Sequence, residues 1–281
     1  MVSYNLPFTE KEYDSALKTC NDTAPGPDDI PYSLIKNVPR NTKLFIISIL
    51  NRIWHNSEYP SVWELATILS FLKPGKDKFL PGSYRPIALT SCLCKIMEKM
   101  VNARLVWYLE KMGILTPAQC GCRRMHSTTD VLLRLENSIC EAFASKQHHI
   151  SVFFDIEKAY DTAWRHGILK TIYDCGLRGK LPLFIQAFLA RCSFQVKVGN
   201  VLSEKKCQEE GVPQGSVLSV TLLALAINGV ASVIPKDVLY TLFVDDLSIS
   251  FAASRMITAE RKIQLTIDRI VKWTDLALSS H

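Results

Sequence analysis

The sequence predicts an α+β chain, and three observations carry that prediction. Apolar residues recur at helical spacing through both halves. Two pairs of short apolar runs are each separated by a brief polar turn, which joins neighbouring strands directly. The 281 residues are 48% hydrophobic, enough to bury a core that fits one large domain or two modest ones. That composition excludes a disordered chain, a collagen-like repeat and a low-complexity tail. A formal net charge of +6 leans toward anionic partners without naming one.

The elements follow in order. Thr9, with Glu12 three residues on, caps a helix over about 9–19. Leu44–Leu50 is an apolar helical run, Ala66–Leu72 a strand, Lys73–Lys78 a basic turn and Tyr84–Leu89 a second strand. Leu93–Met112 alternates apolar faces with Lys95, Glu98, Lys99 and Arg104 and closes at Gly113; Ser127 opens the next helix. His148 and His149 read as a solvated turn before Ile150–Phe154, a strand of the kind buried on both faces. A single helix is expected directly after Asp155, with Ile156, Tyr160, Ala163, Ile168 and Ile172 on its core face. Leu183–Leu189 is helical, Phe194–Val198 a half-exposed strand, and Pro213–Gly215 a turn into a long apolar helix. Val238–Val244 and Leu247–Phe251 form a hairpin with Asp245 and Asp246 at its tip, and an amphipathic helix spans about 258–276.

Nine cysteines, with no signal peptide in the first residues, favour free thiols in a reducing compartment. Cys92/Cys94 and Cys120/Cys122 lack the spacing of a zinc knuckle and read as packed small residues. The uncharged stretch from Gly211 to Pro235 reads as a helix buried in the protein rather than a membrane span, because a turn and four polar residues interrupt it.

Three carboxylates stand at strand ends: Asp155, Asp245 and Asp246. If their strands are neighbours in one sheet, they converge on one edge, where like charges raise each other's pKa unless a cation neutralises them. Magnesium suits such a site, because it takes oxygen ligands from one or two carboxylates and from substrate phosphates. Two ions about 4 Å apart would activate an attacking hydroxyl and stabilise a leaving pyrophosphate. The plainer alternative is an Asp-Asp turn beside a solvated strand-end Asp.

Phe154-Asp-Ile-Glu-Lys-Ala-Tyr-Asp161, Gly211-Val-Pro-Gln-Gly-Ser216 and Phe243-Val-Asp-Asp-Leu247 occur in that order. Together they resemble the palm motifs of reverse transcriptases. Ala24–Asp28, Lys73–Lys76, Tyr84–Ile87 and Gln119–Thr128 are similar to the fingers of non-LTR (LINE-type, jockey-like) retrotransposon enzymes. The resemblance runs from about Phe8 to Leu276. It implies a right-hand polymerase fold, with fingers in 1–148 and a palm in 149–281, the thumb being expected outside this chain.

It also implies RNA-directed DNA polymerase activity, a nucleotidyl transfer from dNTP to a DNA primer 3′-hydroxyl on template RNA or DNA. Asp155, Asp245 and Asp246 become the catalytic carboxylates. With Ile156 they make up a site for two Mg²⁺ ions, which Mn²⁺ could replace. Lys73, Arg85, Tyr160, Gln214 and Gly215 fall at dNTP-binding positions, Tyr160 as the gate against a ribose 2′-hydroxyl. Arg123, Arg124, Pro213 and Val244 fall beside template and primer. The alternative is a non-catalytic nucleic-acid-binding remnant of a retrotransposon reading frame. No obligate protein partner and no membrane are expected, and the family's habit is cytoplasm and nucleus. The chain departs from the family pattern at Asp29, where Gly is expected, at Cys122 in place of Phe, at Val220 in place of Pro and at Gly229 in place of an acid.

Overall fold

The computed structural model describes residues 3–156 and 158–277. Met1, Val2, Glu157 and 278–281, parts of the segments expected above, lie outside the described residues. In chain order the elements are α1 (Glu10–Lys18), α2 (Tyr32–Lys36), α3 (Arg40–Asn56), β1 (Leu65–Leu72), β2 (Tyr84–Leu89), α4 (Cys92–Lys111), α5 (Thr128–Ala144), β3 (His148–Phe154), α6 (Ala159–Thr162), α7 (Arg165–Asp174), α8 (Lys180–Ala190), β4 (Cys192–Val198), β5 (Val201–Leu202), β6 (Lys206–Gln208), α9 (Val217–Ile227), β7 (Leu239–Phe243), β8 (Asp246–Ala253) and α10 (Met256–Ala277). This is a mixed α+β chain of two compact units: 1–108 with 172–219, and 109–171 with 220–281.

The first unit carries a sheet in the order β2-β1-β4-β5, with β6 also on β4. The β1–β2 hairpin is antiparallel, with Phe71 opposite Arg85 and Leu72 opposite Tyr84. The helix of Glu10–Lys18 starts as its sequence dictates, with the Thr9 N–H donating to Glu12 Oε2 at 2.9 Å and the Glu12 N–H to Thr9 Oγ1 at 3.2 Å.

α4 differs from its sequence reading. Glu98 and Arg104, expected on a polar face, are 1% and 9% exposed. Arg104 donates to both Glu12 carboxylate oxygens and to the carbonyls of Tyr4, Leu6 and Pro7, and its guanidinium lies 4.0 Å from the Phe8 ring centroid. A buried guanidinium is tolerated here because its donors meet carbonyls and a carboxylate.

The second unit carries the antiparallel sheet β3-β8-β7, with α5 and α10 packed on β3 and β8. β3 is an edge strand rather than one covered on both faces, and Phe153 is 65% exposed. His148 and His149 belong to the strand, not to a turn before it, and His149 Nε2 shares a hydrogen bond with Ser138 at 2.8 Å. The expected single helix after Asp155 is two, α6 and α7, because Ala163 is extended (ψ 123°). The apolar helix ends at Ile227 and passes into a 3₁₀ turn over Asn228–Ser232. No described helix is long and apolar enough to cross a membrane, and every cysteine is a free thiol.

Candidate active site

The three carboxylates belong to one unit and one sheet. β3 pairs with β8 through Phe154 opposite Leu247, so continuing the register by one residue sets Asp155 beside Asp246. β8 pairs with β7 through Phe243 opposite Asp246. The hairpin loop is therefore Val244-Asp245, not Asp245-Asp246, and Asp246 is the first residue of its strand. Asp155 and Asp246 are exposed and Asp245 is half-buried. Burial raises the Asp245 carboxyl above the usual range, and the charges of Asp246 and Asp155 push it further, against a hydrogen bond from its own backbone.

Val244 has φ +61°. A positive φ at the first of two loop residues is a turn geometry that normally selects glycine, and a β-branched residue there costs on the order of 1–3 kcal/mol. The segment before α5 steadies it. Cys120 N–H donates to Leu242 O at 2.8 Å and Leu242 N–H to Ala118 O at 2.9 Å, a short parallel bridge at the end of β7. Gly121 lies against the loop so closely that a Cβ there would meet Val244 N at 2.3 Å.

Tyr160 sits half-buried in α6. Burial raises its phenol, and the negative charge of Asp245 adds to that. The carbonyl of Ile156 accepts the Ala159 N–H at 3.2 Å, which leaves one lone pair for another partner. Among the described residues no three His, Cys, Asp or Glu side chains are grouped closely enough to share an ion. The electrostatics at Asp245 are nonetheless those a divalent cation relieves, since two further carboxylates raise its pKa and hard oxygen ligands suit magnesium. The cysteine pairs form no metal group among the described residues either.

Arg123 is 14% exposed and tied to Glu110 by two contacts of 2.7 Å, and it also donates to the carbonyls of Thr116 and Gln119. Arg124 beside it is exposed. Cys122, in the place where a Phe was expected, has φ +57° and is exposed.

The remaining sequence-derived site residues belong to the other unit. Lys73 N–H donates to Ser83 O at 2.8 Å, extending the β1–β2 ladder by a step. Alternation along the strands then places Lys73 on the same face as Phe71 and Arg85. Lys73 Nζ donates to Gly82 O at 3.1 Å, and Arg85 is exposed. Pro213 O accepts the Ser216 N–H at 3.2 Å in the turn that holds Gln214 and Gly215. Gly215 has φ +101°, and a Cβ there would stand 3.0 Å from Ala88 O.

The same turn is held from below by Glu98. Its carboxylate accepts Ser216 Oγ–H at 2.6 Å and Val217 N–H at 2.7 Å, and Cys94 Sγ lies 3.2 Å away. Burial pushes this carboxyl up, partly offset by those donors. Asp29 stands at φ +53°, so the position where the family pattern has Gly does adopt the left-handed conformation.

Glu98 and Gln119, which hold the motif-bearing turns, were missed by sequence reasoning. The signals available were the charges inside an apolar helix and the Gln-x-Gly spacing ahead of α5.

A family model described as reverse transcriptase (RNA-dependent DNA polymerase) matches residues 72–279. The chain belongs to the reverse transcriptase family. Over 277 residues it is 30% identical to a probable RNA-directed DNA polymerase from transposon BS of Drosophila melanogaster, covering 95% of this chain and 30% of that protein. It is similar to the corresponding protein of transposon X-element from the same organism, at 31% identity over 92% of this chain and 28% of the relative. It is also similar to the RNA-directed DNA polymerase from mobile element jockey of that organism, at 30% identity over 90% of this chain and 28% of the relative. The chain thus spans about 30% of the length of these relatives.

Proposed function

We propose that this chain is the catalytic core of an RNA-directed DNA polymerase, transferring a nucleotidyl group from a dNTP to a primer 3′-hydroxyl on an RNA or DNA template. The observation that supports this best is the placement of Asp155, Asp245 and Asp246 at neighbouring strand ends of one sheet, in a chain of the reverse transcriptase family. In right-hand terms, 1–148 would supply the fingers and 149–281 the palm.

Asp155, Asp245 and Asp246, with the Ile156 carbonyl, would hold two Mg²⁺ ions, and Mn²⁺ would serve in their place. Bound there, the ions supply activation of the attacking hydroxyl and neutralisation of charge on the leaving pyrophosphate. Because Asp245 is raised by burial and by two carboxylates, its ionisation and the uptake of a cation are coupled. Tyr160 would place its ring where a ribose 2′-hydroxyl would otherwise fit. Lys73 and Arg85, on one face of the β1–β2 hairpin, would present fixed positive charge to the triphosphate. Gly215, without a Cβ, would let the Gln214–Gly215 backbone approach the nascent pair. Arg124 would contact a template phosphate, with Arg123 bracing its loop through Glu110. Pro213 and Val244 would line the duplex.

Primer extension on an RNA template with dNTPs and Mg²⁺, run beside Asp245→Asn, tests this reading. The native chain should extend the primer and the variant should lose at least about 10²–10³-fold in rate. Absence of extension, with salt-sensitive primer–template binding retained in both proteins, would instead indicate a non-catalytic binding remnant.

A further inference from the structure

We infer that Gln119 is a positioning residue that sets the Asp245 turn, a role that rests on the polymerase reading above. Its side chain is fully buried (0% exposed). Oε1 accepts the Val244 N–H at 3.0 Å and the Gly121 N–H at 2.9 Å, while Nε2 donates to Val244 O at 3.3 Å. One carboxamide therefore takes both backbone groups of the residue directly before Asp245. Val244 is a loop residue of the hairpin at φ +61°, and the ladder pairs its neighbour Phe243 with Asp246 across the loop. A buried N–H and C=O in that position need partners, and Gln119 supplies an acceptor and a donor as a neighbouring strand would.

The chemistry selects glutamine. A glutamate offers no donor for Val244 O, an asparagine is one methylene shorter, and a methionine of similar shape offers neither group. Gly121 belongs to the same device, since a Cβ there would collide with Val244 N at 2.3 Å and Val244 Cγ2 at 2.6 Å. Because the Val244–Asp245 peptide plane is held through Val244 O, the carboxylate of Asp245 takes its direction from Gln119 without Gln119 touching substrate or ion. Segment 118–120, bridged to Leu242, fixes the base from which Gln119 reaches.

The test uses the full chain and the variants Gln119→Met and Gln119→Glu, read by thermal melting, amide hydrogen exchange at Val244, Mn²⁺ titration without nucleotide, and single-nucleotide incorporation. Gln119→Met should lose about tenfold in Val244 protection and about tenfold in Mn²⁺ affinity. Its kcat should fall about a hundredfold, with KM for dNTP within about threefold of the native value. Gln119→Glu keeps the acceptor for Val244 N–H, so its Val244 protection should survive while kcat still falls, and it decides the matter if Gln119→Met fails to fold. Native Mn²⁺ affinity and native kcat in a folded variant would overturn the inference, as would a loss shared equally by KM, primer binding and melting temperature. If the native chain binds Mn²⁺ but incorporates nothing, the polymerase reading fails, and the Mn²⁺ and exchange results alone decide the role of Gln119. A native chain that takes up no Mn²⁺ overturns both.

Discussion

In the first unit a carboxylate, Glu98, receives Ser216 Oγ–H at 2.6 Å and Val217 N–H at 2.7 Å, where the Pro213–Gly215 turn enters α9. In the second unit a carboxamide, Gln119, receives the Val244 N–H at 3.0 Å and gives a hydrogen to Val244 O, where β7 turns into β8. Both side chains are buried, at 1% and 0% exposed, and both hold a motif-bearing turn, yet one is an acid and the other an amide. The difference follows from what each turn leaves unpaired. The start of a helix presents only N–H donors and the positive end of its dipole, so an acceptor-only carboxylate fits. A hairpin loop presents one N–H and one C=O, and only a group with both a donor and an acceptor satisfies them. The clamp on the first turn can therefore titrate, whereas the carboxamide that holds the second cannot.

Glu98→Ala should have the largest effect on this contrast. It leaves Ser216 Oγ and the first amides of α9 without an acceptor inside the protein and should cost about 3 kcal/mol in urea unfolding. A loss below about 0.5 kcal/mol would mean that water replaces the carboxylate and that the first turn needs no clamp. Gly121→Ala comes next. Its Cβ would stand 2.3 Å from Val244 N, backbone that has no room to give, so overpacking should cost about 2 kcal/mol by the same measurement. Gly215→Ala should cost less, about 1 kcal/mol, since its added carbon meets Ala88 O at the looser 3.0 Å and the penalty is mostly that of φ +101°. If the two alanine substitutions cost the same, close packing against Val244 is not what distinguishes the second turn.

The smallest effect is the pH coupling itself. Burial raises the folded-state pKa of Glu98 above its ordinary value near 4.5. The native state then binds that proton more tightly than the unfolded chain, so the stability contributed by Glu98 is full below the ordinary value and is lost as pH rises through the folded one. Glu98→Gln should flatten this part of the stability–pH curve, and Gln119→Met should leave its slope unchanged. Urea midpoints at several pH values check both, and equal slopes for the native chain and Glu98→Gln would remove the coupling.

Much of the fold was legible in the chain itself, because it rests on neighbours in sequence. Thr9 and Glu12 cap their helix reciprocally, and the apolar runs read as strands over 66–72 and 238–244 are strands at Leu65–Leu72 and Leu239–Phe243. The carboxylates at strand ends were visible for the same reason. The Asp245 turn was misread by one residue because its first position holds Val244, a residue that local preference keeps out of φ +61°. The strand before Asp155 looked doubly buried because its residues are apolar, but covering a second face requires another layer, and Phe153 is 65% exposed. The helix after Asp155 kept its apolar spacing and still broke at Ala163, a backbone change that periodicity does not record.

Hydrophobic spacing and caps determined by themselves the α+β class, most element positions and the places of Asp155, Asp245 and Asp246 at strand ends, since each depends on contacts a few residues apart. The tertiary structure alone decided which polar groups are buried and what satisfies them. Arg104 finds its partners near residues 4–12, Glu98 at Ser216 and Val217, and Gln119 at Val244, each about 90 or more residues away. A buried polar group is stable only when a specific donor or acceptor meets it, and that meeting is a property of the packed chain rather than of any local stretch.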